Sequence, residues 1–572
     1  MQGDAHLQNP TTNQIGRLVT LYESGKYSAV VEEVQKLLIS FPRSFRLWNI
    51  LGMAYRGLKE PENAIDAFQK VQEIRPDIAA PLNSIGVIFQ ETARMGNAIS
   101  CFKKAVELEP DNPGSHYNLA NALRDNHAYE DALDVYRETV KLKPTFAEAH
   151  NNMGNVLQDL ERLDEAVAAY RRAIDHKSDY VDAYFNMARA LKRQGRPKDV
   201  IAVCHQVLTL KPNHHDAQIH LAIALKTLGR RDESIQIYQQ IAFSNPEDVS
   251  EKNRHSALCS LLTTPIGGLD SATLDGIEAR LAAGEKAPHL AAEQLFMKAN
   301  LLMHRGDVAK AAGTFEKANT KKRAELFADG QNPESWKEVW HQPMMPLQEA
   351  SSKEGCPLSV LLILGPSRSG KSTLEALLAD NKAIVPRFEA VDFDVLKQAA
   401  STAVTSLSAS EKTRIVRRAL YLEATRDRQI SEKLIVCTNP HLVHHVPILN
   451  TLLNEMFIVW IKRNTPDLMA DIYTNMYARG NVYSYDIKSI GAYLQAYDDR
   501  MSLIERSLPN RVIRIGYQDM LDNPNAVVDR ISSLTGKTFT ASNGFDPKAA
   551  YRHLAARSAL AAHLDEIAAR HP

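Results

Sequence analysis

The stretch "GPSRSGKST", Gly365 to Thr373, concentrates glycine, hydroxyl and basic residues in one short loop. It satisfies the pattern G-x-x-x-x-G-K-[ST], whose chemistry is anion binding. Successive backbone N–H groups and the start of a following helix hold phosphate-type oxygens; Lys371 reaches the terminal one and Ser372 holds a magnesium ion. The candidate contacts are Gly365, Ser367, Arg368, Ser369, Gly370, Lys371, Ser372 and Thr373. Read literally, the loop takes ATP or GTP with Mg²⁺ and serves a kinase-like phosphotransferase. Against that, "LIVCTN" ends in Thr438 and Asn439 where a magnesium site needs a carboxylate, and Asp392 and Asp394 in "DFD" are poor substitutes. His441, His444 and His445 in "HLVHHV" lack a carboxylate or cysteine to complete a metal set and read as a helix flank.

Such a loop works only between a strand and a helix. "PLSVLLILG" is a continuous apolar run, as for a strand buried on both faces, and "STLEALLAD" reads as the helix. Further buried strands are expected at "KLIVCTN", "MFIVWIK" and "RVIRIGY". Helical segments separate them, which predicts an α/β domain with a mostly parallel sheet, ligand at the carboxyl ends of its strands.

The first half is periodic. Pro42, Pro76, Pro110, Pro144, Pro212 and Pro246 share a 34-residue register, with Ser178 in the skipped slot. Ala64, Ala98, Ala132 and Ala166 recur in the same frame, each followed four residues later by Phe68, Phe102, Tyr136 or Tyr170. This resembles the tetratricopeptide repeat in seven copies, implying an α superhelix of helical hairpins with a concave inner surface. Small residues such as Gly52, Gly86 and Gly154 let the first helix of each pair approach the second. Asn118, Asn152 and Asn186, with Asn121 and Asn155 one turn on, set amides along one face. A carboxamide donates and accepts, so such a column suits an extended peptide backbone in the concave groove; solvated surface polarity is the equal alternative. From about Val249 to Leu290 the register fails and "TTPIGGLDSATLDG" reads as a connection, before a degenerate repeat returns in "LFMKANLLMHRGDVAKAAGTFEKANTKKRA". The expected organisation is repeats over 11–248, capping helices and linker over 249–345, and the α/β domain over 346–572.

"RSG…LE", Glu389 in "VPRFEAVDF", "RNTPDLMAD", "YARGNVYSYD" and "RVIRIGYQDM" form one ordered set that resembles the bacterial tetratricopeptide-repeat sulfotransferases, relatives of the tyrosylprotein sulfotransferases. The resemblance implies transfer of a sulfuryl group from phosphoadenosine phosphosulfate to a hydroxyl, such as a peptidyl tyrosine. It assigns the 5′-phosphosulfate to the loop, the 3′-phosphate to Arg463, the general base to Glu389, and adds Asp471 and Tyr517 to the donor set. Arg368 and Lys371 then offset charge on the leaving phosphate. The chain departs from the family at Lys371, where Thr or Ser is usual, and at Asp471, where a serine donates to the 3′-phosphate. Its closing segment also lacks the family's basic-aromatic clamp and reads as an alanine-rich helix. The start "NTPDLMAD" sets Thr465 as N-cap and places Asp467 and Asp471 one turn apart. A catalytically inactive repeat scaffold is the remaining alternative.

Composition narrows the rest. Of 572 residues, 68 are basic and 68 acidic, and 44% are apolar, which argues against a general nucleic-acid or membrane-surface binder. Cys101, Cys204, Cys259, Cys356 and Cys437 show no disulfide spacing, and the polar start resembles no signal peptide, so a cytoplasmic protein is expected.

Overall fold

The computed structural model describes the chain apart from residues 1–9, 246, 265–266, 285–290, 329–331, 333–335, 341–343, 345–346, 348–355, 379–380, 382, 389–390, 401–406, 421–432, 476–481, 543–557 and 565–572. Glu389, most of "YARGNVY" and much of the linker lie outside the described residues. The chain divides into two compact units, Met1–Ala190 and Leu191–Pro572.

In the first unit, helices pair in sequence: Thr12–Glu23 with Tyr27–Ser40, Phe45–Gly57 with Pro61–Ile74, Ala80–Glu91 with Met95–Leu108, Pro113–Asp125 with Tyr129–Leu142, and Ala147–Asp159 with Leu163–His176. The second helices end at Ser40, Ile74, Leu108, Leu142 and His176, two residues before Pro42, Pro76, Pro110, Pro144 and Ser178. Proline lacks the N–H to continue a helix, and the chain turns there. Within each hairpin the small residue is a packing requirement. A Cβ on Gly86 would lie 2.6 Å from the Phe102 ring, and one on Gly154 2.6 Å from the Tyr170 ring. A recurrent latch was invisible in the sequence: the side chains of Trp48, His116 and His150 each meet the carbonyl of the proline six residues earlier, at 2.8 Å.

The second unit continues with helical hairpins and ends in the α/β domain. Where the register fails the chain still forms two helices, Glu251–Leu262 and Ser271–Gly284, and the connection read at "TTPIGGLDSATLDG" spans the turn between them, with Gly267 at φ 81°, and the start of the second helix. Leu258, Leu261, Leu274 and Ile277 bury there with Tyr238 and Met297. The degenerate repeat forms Ala291–His304 and Val308–Ala328, and Asn319 Nδ2 donates to the Tyr473 carbonyl at 3.1 Å, tying this hairpin to the α/β domain.

Among the described residues the sheet has five strands: β1 Cys356–Leu364, β2 Ile384–Phe388, β3 Leu434–Cys437, β4 Leu453–Lys462 and β5 Val512–Gly516. They are all parallel, in the order β2-β3-β1-β4-β5. β2 has no counterpart among the strands expected from the sequence. It is short, sits at the edge and contains Pro386, whose missing N–H is tolerated only at an edge. β1 alternates between two cores: Val360, Leu362 and Leu364 pack with Trp460 and Tyr497, while Leu361 and Ile363 pack with Leu374, Val459 and Ile531. Hence the unbroken apolar run. β1 and β4 pair Leu364 with Trp460, so their carboxyl ends finish side by side. The loop after β1 starts at Gly365 and the turn after β4 starts at Arg463.

Candidate anion-binding site

The loop folds tightly over its own lysine. Lys371 opens the helix Lys371–Leu378, and its ammonium turns back to donate to the carbonyls of Gly365, at 3.0 Å, and Pro366, at 2.8 Å. The side chain is buried, so its charge lies beneath the loop. The Gly365 N–H donates to Tyr497 Oη at 2.9 Å. Arg368 takes a left-handed backbone, φ 65°, leaves its side chain exposed, and donates from Nη2 to Asn475 Oδ1 at 2.7 Å. Ser369 is fully buried, and its Oγ has no hydrogen-bond partner among the described residues. Ser372 is exposed, and Ser367 and Thr373 are half-buried.

Arg463 reaches the same loop from β4. Its Nη1 donates to the Arg368 carbonyl at 2.9 Å and forms an ion pair with Asp471 Oδ2 at 2.5 Å; both side chains are 5% exposed. The guanidinium lies over the Tyr517 ring, 4.8 Å from its centroid. The sequence expectation that Asp471 faces a phosphate meets a different arrangement: its charge is matched inside the protein. Asp467, its like-charged neighbour, accepts from Ser558 Oγ at 2.7 Å, so the two carboxylates have separate partners. The helix Thr465–Tyr473 is capped by Asn464, whose side chain accepts from the Asp467 N–H, one residue earlier than expected from Thr465. Asn475 links the parts, since its Nδ2 donates to the Asp471 carbonyl and its Oδ1 takes Arg368.

The structure therefore brings together Gly365 to Thr373, Arg463, Asp471 and Tyr517, while Glu389 lies outside the described residues. Sequence reasoning missed Tyr497, which carries no motif on its helix Ile487–Ser507, and Asn475. It also missed Lys226, on the helix His215–Thr227. Burial lowers the Lys226 ammonium below its usual range, and the Arg368 and Arg231 cations add to the effect.

Each of the five asparagines makes side-chain hydrogen bonds within the first unit. Asn152 Nδ2 donates to Tyr117 Oη at 2.9 Å and Asn121 Oδ1 at 3.0 Å, Asn186 Nδ2 to Asn151 Oδ1 at 3.1 Å, and Asn118 Nδ2 to Asn83 Oδ1 at 3.5 Å. Tyr170 Oη donates to Asn155 Oδ1 at 2.8 Å. All five are half-buried; the bonds of Asn118, Asn121, Asn152 and Asn186 run from repeat to repeat, and that of Asn155 lies within its own hairpin.

His441 and His444 lie in the 3₁₀ turn Pro440–His444, with His445 directly after it, and among the described residues no cluster of three or more His, Cys, Asp or Glu is arranged to hold a metal. His444 Nδ1 meets Arg500 Nη1, and its ring stands edge-on to Trp340, centroids 4.3 Å apart. Burial, then the Arg500 charge, lowers His444 to about 3; burial, then Lys397, lowers His445 to about 4. An unfolded chain takes up these protons below its ordinary value of 6.5, whereas the native fold refuses them. Stability is therefore present above pH 6.5 and is lost as pH falls toward the native values. Urea midpoints at pH 7, 5.5 and 4.5 should decline with a His444 contribution of up to about 1.4 kcal/mol per pH unit. His444→Gln should flatten that decline, and an unchanged slope would show that His444 is not its source.

With the geometry established, comparison with known proteins gives the class. Residues 361–541 match the model of the sulfotransferase family. Tetratricopeptide-repeat models match residues 45–78, 79–112, 101–134, 120–161, 154–195 and 191–251. The chain thus joins tetratricopeptide repeats to a sulfotransferase-family domain. A search of curated proteins gives no match. Among solved structures, MamA is 23% identical over 28% of this chain and 95% of its own, TM-score 0.27. YrrB, described as a repeat protein with an unusual peptide-binding site, is 18% identical over 34% and 98%, TM-score 0.30. PilF of Pseudomonas aeruginosa is 17% identical over 38% and 97%, TM-score 0.33. Among the described residues no helix is long and apolar enough to cross a membrane.

Proposed function

We propose that this protein transfers a sulfuryl group from an adenosine 5′-phosphosulfate nucleotide to a hydroxyl, with the repeats holding a protein or peptide partner. The observation that carries the reading is the sulfotransferase-family match over 361–541, which begins within β1 and runs straight into the anion loop. Phosphoadenosine phosphosulfate is the donor the family implies, and it supplies the activated sulfur. The loop suits the 5′ end of such a nucleotide. The buried Ser369 hydroxyl has no hydrogen-bond partner among the described residues, Arg368 is exposed at the turn, and Lys371 places positive charge beneath it. In this reading Glu389 takes the acceptor proton, and Arg368 and the loop N–H groups stabilise charge as it collects on the 5′-phosphate oxygen. The acceptor is a peptidyl tyrosine or a glycan hydroxyl.

The test is thermal unfolding of the full chain with adenosine nucleotides carrying a 5′-phosphate, without metal, against ATP plus Mg²⁺. Nucleotide at a hundredfold excess over its Kd should stabilise by about 2.7 kcal/mol without metal. Stabilisation by ATP with Mg²⁺ alone would replace this reading with the phosphotransferase. Glu389→Gln should keep nucleotide binding while lowering transfer by about 10²–10⁴-fold.

A further inference from the structure

We infer that Asp471 makes this site select a donor with a free ribose hydroxyl, so that adenosine 5′-phosphosulfate, lacking a 3′-phosphate, is the preferred sulfuryl donor. The inference rests on the proposed transferase reading and concerns only the ribose end of the donor.

The charge of Arg463 is already engaged. Its Nη1 is shared between the Arg368 carbonyl at 2.9 Å and Asp471 Oδ2 at 2.5 Å, with both side chains 5% exposed. The pair is close to neutral as a unit and has little charge to give a second anion. A ribose phosphate brought to it faces the Asp471 carboxylate at short range, where water screens poorly. Nucleotide sites elsewhere divide along the same line: a carboxylate at the strand ends takes a free ribose hydroxyl, and an unencumbered arginine accommodates a ribose phosphate. Here the arginine and the carboxylate are locked together beside the loop.

The remaining polar group fits the same choice. Arg463 Nε is buried, with no hydrogen-bond partner among the described residues. A hydroxyl both donates and accepts, so it can accept from Nε–H while donating to the carboxylate; a phosphate dianion only accepts. Asn475 ties the end of the helix Thr465–Tyr473 to the loop, since its Nδ2 donates to the Asp471 main-chain carbonyl while its Oδ1 takes Arg368. The Tyr517 ring under the guanidinium, 4.8 Å away, opposes swinging Arg463 free.

The chemistry balances with this donor. The bond between sulfur and the 5′-phosphate oxygen breaks, and its electron pair stays on that oxygen, releasing adenosine 5′-monophosphate. The acceptor oxygen forms the new bond to sulfur, and its proton passes to the base proposed at Glu389. No oxidant or reductant enters.

Binding of the two product nucleotides is the test, measured by calorimetry on the full chain without metal. Wild type should bind adenosine 5′-monophosphate at least about tenfold more tightly than adenosine 3′,5′-bisphosphate. Asp471→Asn keeps the shape and a hydrogen bond to Arg463 while removing the charge. It should shift the ratio toward the bisphosphate by about tenfold or more, and Asp471→Ser further in the same direction. Wild type that prefers the bisphosphate, or a ratio unmoved by Asp471→Asn, overturns the inference and leaves the transferase reading standing. Failure of both nucleotides to bind overturns the two together.

Discussion

Replacing Arg463 by alanine is expected to lower the thermal midpoint of the α/β domain by about 10 °C, and removing Asp471 in the same chain to restore most of the loss. The two side chains form one ion pair at 2.5 Å, each 5% exposed. Taking away the arginine strands a carboxylate in the interior, which costs about 3–5 kcal/mol, whereas removing both charges together is often close to neutral. The Arg463→Ala chain also loses its bond to the Arg368 carbonyl, so the double variant should remain slightly below wild type. Scanning calorimetry of the four members of this double-mutant cycle reads the coupling directly. Simple additivity would mean that the pair does not hold the site together.

The second large effect is expected at Gly370. Its φ is 110°, a region that side chains rarely adopt, and a Cβ there would lie 2.3 Å from Tyr517 Cδ2. Gly370→Ala must therefore strain the turn and push aside the ring that supports Arg463. Backbone strain of this kind costs about 1–3 kcal/mol before the ring is displaced. The loss should appear in nucleotide affinity, about a hundredfold, because the amides of the turn move with it. Gly313→Ala is the control. A Cβ at this position within the helix Val308–Ala328 meets nothing within 4 Å. Alanine should stabilise that helix by about 0.5–1 kcal/mol and leave nucleotide affinity unchanged. Equal losses from both substitutions would mean that the Gly370 turn has no special geometry to protect.

Much of this was legible in the chain. Four helix ends of the first unit fall two residues before a register proline, which cannot continue a helix, and the fifth keeps the same frame before Ser178. β1 was readable because a strand packed on both faces shows no alternation. What escaped has physical causes as well. β2 is a short edge strand with Pro386 inside it, and an edge needs neither a long apolar run nor a complete set of N–H donors. The cap at Asn464 instead of Thr465 turns on which of two adjacent polar side chains folds back, a choice that composition does not make. The partner of Asp471 was unreadable for another reason. A one-dimensional spacing argument sets it against Asp467, its neighbour on the helix, while the fold gives it Arg463 from the end of β4 and gives Asp467 the hydroxyl of Ser558.

The pairing of β1 with β4 carries a consequence for biogenesis. Arg368 and Arg463 sit far apart along the polypeptide and meet only when Leu364 has found Trp460 across two parallel strands. Parallel pairing of distant segments comes late, since the intervening chain must be closed into a loop first. An emerging or misregistered chain therefore presents the glycine turn without its arginine brace. If the site takes the nucleotide proposed for it, binding would report on completed sheet assembly, and a ligand present during synthesis would favour correctly zipped molecules over their competitors.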